Sequence, residues 1–324
     1  MSNRELVLRA FDNQEVERVP VGFWFHFLAE EEMGDGLKTP GLLERNVAGH
    51  KNFIERARPD LVKIMSDGFF SYPVESPLKC LKDLAGIKEL DKDHPWLVRQ
   101  IELVQRVVAL QKDTLYFYNI FAPPTSLRLL IGQEFLVKYL KMDPVLVTSA
   151  LARIAGGLAT LAQGVIREGG ADGIYLSVQN PDFNRLTDKE YRCYLRPSDQ
   201  MVLEAANRVG GINILHICGY AGARNYLESW ADYSARAYNW AVNVEQVSLA
   251  EGKKIFGGRA VIGGFANFPG SLIEVGSRVE IETFTAGLIS EAGSKGILIG
   301  ADCTLPSTIA LERLEWIRQK AAAR

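Results

Sequence analysis

The sequence predicts an α/β fold of the (β/α)8 type, a TIM barrel, in a single domain over residues 1–324. Short β-branched or aromatic runs alternate along the chain with longer amphipathic segments, and there are eight such runs, most of them continuously apolar. Continuous apolar runs are typical of parallel strands that are covered on both faces. Eight strands separated by helices favour a closed barrel, with an open doubly wound sheet as the alternative.

The strand assignments follow from these apolar runs. No G-x-G-x-x-G pattern follows an early strand, which disfavours the dinucleotide-binding form of the open sheet. The eight predicted strands cover residues 18–23, 61–65, 115–121, 173–178, 212–217, 237–241, 260–265 and 297–300.

Helix-start signals lie between the predicted strands. Asp143 and Pro144 supply an N-cap and a first-turn proline before a long apolar-periodic stretch. A Ser or Thr followed three residues later by Glu predicts a capping box. This pattern occurs twice, at Thr187-x-x-Glu190 and at Ser277-x-x-Glu280.

The composition is that of an ordinary globular protein. Of 324 residues, 47% are hydrophobic and 23% are charged, and the net charge of −2 gives no reason to expect nucleic acid or an anionic membrane as a partner. The first twenty residues have mixed charge and no apolar core, so a signal peptide is not expected. With only four cysteines, a disulfide scaffold is disfavoured, and we expect a cytoplasmic protein.

Polar residues that directly follow the apolar runs are the candidates for chemistry, because barrel active sites lie at the carboxyl ends of the strands. Four of them are predicted to contact substrate: His26, Asn180, Asn267 and Asp302. The remaining four are predicted to bind metal or to act in catalysis, and they are His216, Cys218, Cys303 and Asp67.

His216-x-Cys218 is the sharpest motif in the chain. On an extended backbone, residues i and i+2 face the same side, so the two side chains can converge on one point. An imidazole nitrogen and a thiolate sulfur are ligands that zinc prefers. The alternative is that Cys218 is a buried small apolar residue and His216 a hydrogen-bonded core residue.

Cys303 strengthens the zinc interpretation, because it also follows a predicted strand and is flanked by Gly300 and Pro306. Three protein ligands and an open position are typical of catalytic zinc, whereas a structural site usually has four ligands. With two thiolates as ligands, we expect thiol activation rather than water activation. The ligands come from the fifth and eighth predicted strands, which are not neighbours, so Cys303 has to reach over the barrel mouth.

Asp67 follows a buried strand and precedes a glycine, which suits acid–base chemistry, and a turn or helix cap is the alternative. Asp302 is a candidate partner for His216, a substrate contact or a turn former. We expect His50 and His94 to be surface residues. Cys80 and Cys193 have no matched partner and are predicted to be inert.

Several motifs resemble the uroporphyrinogen decarboxylase superfamily, in that superfamily's order and over nearly the whole chain. The resemblance implies a (β/α)8 barrel with its site at the carboxyl ends of the strands. The motifs are the segment 16–21, Met65-Ser66-Asp67, Ala122-Pro123, His216-Ile217-Cys218-Gly219, Gly263-Gly264-Phe265 and Asp302-Cys303-Thr304-Leu305-Pro306.

Within that superfamily, the chain is more similar to corrinoid-dependent methyltransferases than to the decarboxylases. The decarboxylases carry an arginine-rich segment after the first strand, whereas residues 22–31 contain no arginine and two glutamates. The methyltransferase resemblance implies zinc at His216, Cys218 and Cys303, a thiol or another small acceptor or donor, and a corrinoid carried by a partner protein. Decarboxylation of a tetrapyrrole or smaller acid without metal, and a non-catalytic corrinoid- or tetrapyrrole-binding module, are the alternatives.

Overall fold

The computed structural model describes residues 1–33, 35–179, 186–219, 222 and 224–323. The strands are β1 (Leu61–Ile64), β2 (Leu115–Phe121), β3 (Gly173–Val178), β4 (Ile214–Ile217), β5 (Ala237–Trp240), β6 (Ala260–Phe265) and β7 (Ile297–Ala301). The helices are α1 (Asn3–Phe11), α2 (Leu42–Ala57), α3 (Pro95–Val108), α4 (Pro123–Ile131), α5 (Gln133–Met142), α6 (Pro144–Arg167), α7 (Asp188–Glu190), α8 (Arg196–Arg208), α9 (Val242–Glu245), α10 (Leu249–Ile255), α11 (Leu272–Val275), α12 (Arg278–Ala292) and α13 (Glu312–Ala322).

The strands form one parallel sheet in the order β1-β2-β3-β4-β5-β6-β7, and each strand pairs with the next one along the chain. Helices connect consecutive strands, as is usual in a parallel sheet, except between β4 and β5, where the described residues form only a short 3-10 helix at Leu227–Trp230. This arrangement confirms the predicted α/β barrel fold. Seven of the eight predicted strands occur, and their ends agree with the prediction to within two residues.

The prediction of a first regular strand at residues 18–23 was wrong. Val21 forms only an isolated bridge with Ile299. Pro20 has no N–H to donate, and the N–H of Val21 donates to a side chain, Oδ2 of Asp60, at 2.7 Å. Two successive residues therefore give no backbone N–H to a neighbouring strand.

This extended segment nevertheless lies between the first and last strands of the sheet. On one side, the N–H of Gly22 donates to the carbonyl of Ile299 at 2.9 Å, and the N–H of Ile299 donates to the carbonyl of Pro20 at 2.9 Å. On the other side, the N–H of Asp60, just before β1, donates to the carbonyl of Val21 at 3.1 Å. The segment thus occupies the place of an eighth strand.

The barrel separates two apolar cores. Alternate residues of β1 and of the position that follows it show this, because Leu61 and Met65 belong to the interior core while Val62 and Ile64 belong to the core beneath the helices. Helix α1 packs into the interior core at the amino ends of the strands, where the ring of Phe11 lies 6.0 Å from that of Phe117. The amino-terminal half of the interior is therefore filled with apolar side chains.

The helix-start signals are confirmed. Asp143 caps α6 by accepting a hydrogen bond from the N–H of Leu146, and both predicted capping boxes form, at Thr187 and at Ser277. Among the described residues, α6 alone is long and apolar enough to cross a membrane, and 61% of its most apolar window is buried within the protein. Packing against neighbouring elements accounts for the apolar character of this helix.

Candidate metal centre

Five successive strands carry a polar side chain on the inward face of their carboxyl halves. Each of these side chains is at least 95% buried, so the carboxyl half of the interior is polar where the amino half is apolar. We call them the interior polar row, and they are Lys63 of β1, Asn119 of β2, Ser177 of β3, His216 of β4 and Asn239 of β5.

Cys218 and Cys303 come together with His216, which is a member of this row. One ligand atom of each lies within 4.8 Å of the other two, and Sγ of Cys303 is 3.5 Å from Nε2 of His216. On a tetrahedral zinc ion, a nitrogen and a sulfur ligand lie about 3.5 Å apart. The donor set and its spacing therefore fit zinc with one position left for another ligand.

The loop after β7 carries Cys303 across the mouth of the barrel. The N–H of Asp302 donates to the carbonyl of Phe265 at 2.8 Å, and the N–H of Leu305 donates to the carbonyl of Trp24 at 3.0 Å. These two bonds fix the loop on either side of Cys303. Thus β4 and β7, which are not neighbours in the sheet, both contribute to one cluster.

The ring of His216 is oriented by Asn239 and Tyr175. Oδ1 of Asn239 lies 2.5 Å from Nδ1 of His216 and accepts a hydrogen bond from the hydroxyl of Tyr175 at 2.6 Å. The amide nitrogen of Asn239 donates to the carbonyls of Ile262 and Ala301. Because these donations fix which end of the amide is the oxygen, Nδ1 of His216 carries the proton and Nε2 is left to face Cys303.

The thiol of Cys303 is poised to ionise. A hydrogen bond with Cys218 lowers its pKa well below the usual value, and the nearby His216 and Lys63 lower it further, against the opposing effect of burial. A thiolate, not a thiol, is the form that binds a metal ion. The surroundings of Cys303 therefore favour the ligand form.

Asp302 is buried, and its carboxylate bonds to the start of α9. Its carboxylate accepts hydrogen bonds from the N–H groups of Val242 and Asn243 and from the side chain of Asn243, at 2.9–3.0 Å. Burial raises its pKa to about 6, although these hydrogen bonds oppose the rise. Asp302 caps α9, and the partner of His216 is Asn239. The expectation that Asp302 could pair with His216 was wrong, and its predicted contact with substrate stays a prediction.

Asp67 and His26 form a second polar cluster at the mouth. Oδ1 of Asp67 lies 2.7 Å from Nδ1 of His26, and Oδ2 accepts the N–H of Phe27 at 2.7 Å. Asp67 is fully buried, whereas about a third of the His26 side chain is exposed. A carboxylate that holds Nδ1–H leaves Nε2 as an accessible proton acceptor, which is the geometry of a general base.

The turn that carries Asp67 is fixed from helix α2. The side-chain amide of Asn46 donates to the carbonyls of Met65 and Asp67, and Nε2 of His50 accepts the N–H of Met65 at 3.1 Å. His50 is fully buried, so the expectation of a surface residue was wrong. It is buried because the backbone of Met65 and Asn46 satisfies both ring nitrogens. Burial lowers the pKa of His50 to about 4.

The other predicted residues have simpler surroundings. The side chain of Asn267 donates to the carbonyl of Thr304 at 3.2 Å, which supports the loop of Cys303. Asn180 lies outside the described residues, so its predicted contact with substrate stays a prediction. His94 is a partly exposed surface residue, and its side chain caps α3. Cys80 and Cys193 are exposed.

Sequence reasoning missed Lys63 and Asn239. Each is a polar residue inside an apolar strand, in LVKI and AYNW, on the same side as the neighbouring inward residues. Lys63 is 5% exposed, and burial lowers its pKa to about 8, while the negative charges of Cys303, Cys218 and Asp67 raise it. A polar side chain at an inward position of a predicted barrel strand was the signal that could have found both.

The fold and the polar carboxyl half of the interior define the protein as an α/β barrel with a candidate N/S metal centre at its mouth. The chain belongs to the uroporphyrinogen decarboxylase family, whose model, described as "Uroporphyrinogen decarboxylase (URO-D)", matches residues 71–323. Family membership supports an enzyme of this barrel class. No curated protein sequence matches the chain.

Solved structures share the fold at low sequence identity. A methyltransferase from Methanosarcina mazei is 17% identical with a TM-score of 0.72, covering 99% of this chain and 98% of its own. A B12-independent methionine synthase from Shewanella sp. W3-18-1, solved with selenomethionine, is 12% identical with a TM-score of 0.61, covering 94% and 97%. A β-mannanase from Mytilus edulis is 10% identical with a TM-score of 0.53, covering 94% and 92%. At these identities, the likeness extends to the fold alone.

Proposed function

We propose that this chain, as one barrel domain, is a zinc-dependent methyltransferase. It transfers a methyl group between a corrinoid held by a partner protein and a small thiol or another small acceptor or donor. One observation carries the proposal, namely that an imidazole nitrogen and two thiol sulfurs from two non-adjacent strands, β4 and β7, and the residues that follow them lie within 4.8 Å of one another. The resemblance of the motifs to corrinoid-dependent methyltransferases and the two methyl-transferring structural neighbours support the same reaction class.

His216, Cys218 and Cys303 would hold the metal. When bound, zinc supplies a Lewis acid that keeps a substrate thiol as its thiolate at neutral pH. Asn239 orients His216 through Nδ1, which fixes the tautomer that a ligand needs. Because all three ligands work in their deprotonated or neutral forms and thiolates must stay reduced, we propose a cytoplasmic location.

Asp67 and His26 would handle the proton that a thiol loses. Asp67 holds Nδ1–H of His26, so Nε2 can accept a proton near the mouth. His26 also lines a cavity of about 360 Å³ between helix α2 and residues 307–311. That cavity supplies a route by which a small substrate can reach the pair. Asn267, Asn180 and Asp302 remain predicted substrate contacts.

Decarboxylation is the second candidate function, and membership of the uroporphyrinogen decarboxylase family favours it. Against it stands the mouth segment, residues 22–31, which has no arginine to bind a polycarboxylate. Exposed Glu30 and Glu31 follow the barrel entry and would repel such a substrate.

Two assays on the same purified sample separate these functions. The first measures methyl transfer from methylcobalamin to a panel of small thiols, together with the zinc content. The second measures products from uroporphyrinogen III. We expect methyl transfer that depends on zinc and no porphyrinogen turnover. Decarboxylation by metal-stripped protein would contradict the methyltransferase proposal.

A further inference from the structure

Lys63 is a buried cation that the proposed ligand set and the His26–Asp67 pair do not use. It points into the barrel from β1, among the carboxyl-half positions, and only 5% of its surface is exposed. Among the described residues, no carboxylate lies within ion-pair distance of its ammonium group. Burying a cation without such a partner is costly, so its retention requires a compensating interaction.

Two aromatic rings provide part of that compensation. Nζ of Lys63 lies 4.0 Å from the ring centroid of Tyr175 and 5.3 Å from that of Trp24. A cation over an aromatic face is attracted by the electrons of the ring, and this attraction is stronger away from water. The two rings therefore hold the ammonium in one place.

Tyr175 connects this cation to the candidate ligands. Its ring centroid is 5.3 Å from that of His216, and its hydroxyl donates to the same Oδ1 of Asn239 that meets His216. Lys63 is thus one aromatic ring away from the metal ligand. The negatively charged groups that act on Lys63 are Cys303, Cys218 and Asp67.

The charge of the site explains what a cation does there. A divalent ion with two thiolates and a neutral imidazole has no net charge, so a further thiolate leaves the centre with one negative charge. In a buried site, that charge is unfavourable unless a cation is close. We propose that Lys63 is a positioning residue that supplies this cation and thereby selects an anionic sulfur as the fourth ligand. This inference rests on the proposed function.

The test uses the full-length protein loaded with cobalt(II) in place of zinc and 2-mercaptoethanol as the probe. Binding of the thiol is followed at neutral pH through the sulfur-to-cobalt charge-transfer absorption. For Lys63→Met we expect unchanged cobalt content and a Kd for the thiol that is about tenfold higher. Lys63→Arg keeps the charge, and because a guanidinium also binds over aromatic rings it should lose less thiol affinity than Lys63→Met does.

Lys138→Met is the matched control, because Lys138 also lies over an aromatic ring, Phe135 at 5.9 Å, but on the exposed face of α5. Its thiol affinity should equal that of wild type. A Lys63→Met protein with the wild-type Kd would overturn the inference. If Lys63→Met does not fold, Lys63→Gln replaces it with the same expected rise in Kd, and a Lys63→Gln protein that binds the thiol as wild type does would overturn the inference.

The same experiment distinguishes failure of the inference from failure of the proposed function. Wild-type protein that takes up no cobalt contradicts the metal centre itself. Wild-type protein that binds cobalt and thiol, with Lys63→Met indistinguishable from it, contradicts only the role of Lys63. Wild-type protein that binds cobalt without any thiol absorption contradicts both.

Discussion

His50 and His216 are both buried, but their ring nitrogens meet different partners. Behind β1, Nδ1 of His50 donates to the carbonyl of Asn46 and Nε2 accepts the N–H of Met65. At the barrel mouth, only Nδ1 of His216 is engaged by a fixed amide, that of Asn239, and Nε2 faces a thiol at 3.5 Å. Both ring nitrogens of His50 are hydrogen-bonded to the backbone, whereas Nε2 of His216 remains available to bind a metal ion.

This difference shows that burial alone does not distinguish a structural histidine from a functional one. The distinguishing feature is the partner of the second nitrogen. A backbone carbonyl and a backbone N–H make a histidine part of the fold. An oriented amide on one side and two thiols on the other make it a candidate metal ligand.

Asp67→Asn should have the largest effect on activity of the substitutions outside the ligand set. The amide cannot hold His26 as a carboxylate does, so proton transfer should slow and kcat should fall about 10²- to 10⁴-fold. Steady-state kinetics of methyl transfer to a thiol measure this, with zinc content unchanged. Asp199→Asn is the matched control, since Asp199 is another buried carboxylate but bonds to Tyr191 outside the barrel. Equal activities of the two variants would remove Asp67 from the mechanism.

Asn239→Ala should have the next largest effect. It tests whether the amide of Asn239 prepares His216 to bind a metal ion. Loss of the amide leaves the imidazole without a fixed tautomer, so we expect zinc affinity to fall about 10- to 100-fold. Competition with a chromophoric chelator measures the affinity. Asn119→Ala removes another buried asparagine of the interior polar row, whose amide donates to Ser66 instead, and should leave zinc affinity near that of wild type. If both variants bind zinc as wild type does, the orienting role of Asn239 is wrong.

His50→Gln should have the smallest effect on function. It tests His50, the histidine that belongs to the fold. Activity and zinc content at neutral pH should stay within about twofold of wild type, because the glutamine amide can replace both backbone hydrogen bonds of His50 and so keep the turn of Asp67 in place.

The effect of His50→Gln should appear instead in how the free energy of unfolding depends on pH. In the folded protein the pKa of His50 is about 4, below its ordinary value of 6.5, so its contribution to stability is present above pH 6.5 and is lost as the pH falls toward about 4. That loss is about 3 kcal/mol for the wild type. Glutamine does not titrate, so the variant should show a shallower decrease in the free energy of unfolding over this range. Urea unfolding at several pH values measures this decrease. If the free energy of unfolding falls equally steeply with pH in the wild type and in the variant, His50 is not the group responsible.

Much of the fold was predictable because each strand of a parallel barrel is a short apolar run, and seven such runs are strands in the structure. The first apolar run, residues 18–23, is not a regular strand because Pro20 lacks an N–H and Val21 donates to the side chain of Asp60, which lies far along the chain. Local patterns contain no information about such a partner.

The candidate site likewise has features that local sequence predicts and features that depend on distant segments. The i, i+2 spacing of His216 and Cys218 was legible in the sequence, as was the position of Cys303 after a strand. The hydrogen bond of Asn239 to His216 depends on the register of β4 and β5, where these two residues are direct partners. The place of Lys63 over Tyr175 depends on how β1 and β3 face each other across the interior. Neither relation is a property of a single segment.

Metal content, measured by mass spectrometry on protein purified without chelators, tests the central claim most directly. Wild-type protein should contain about one zinc per chain. The double variant Cys218→Ser/Cys303→Ser should contain almost none, and Cys80→Ser/Cys193→Ser, which changes two exposed cysteines, should match wild type. Wild-type protein without zinc, or a Cys218→Ser/Cys303→Ser variant that keeps it, would contradict a zinc centre at His216, Cys218 and Cys303.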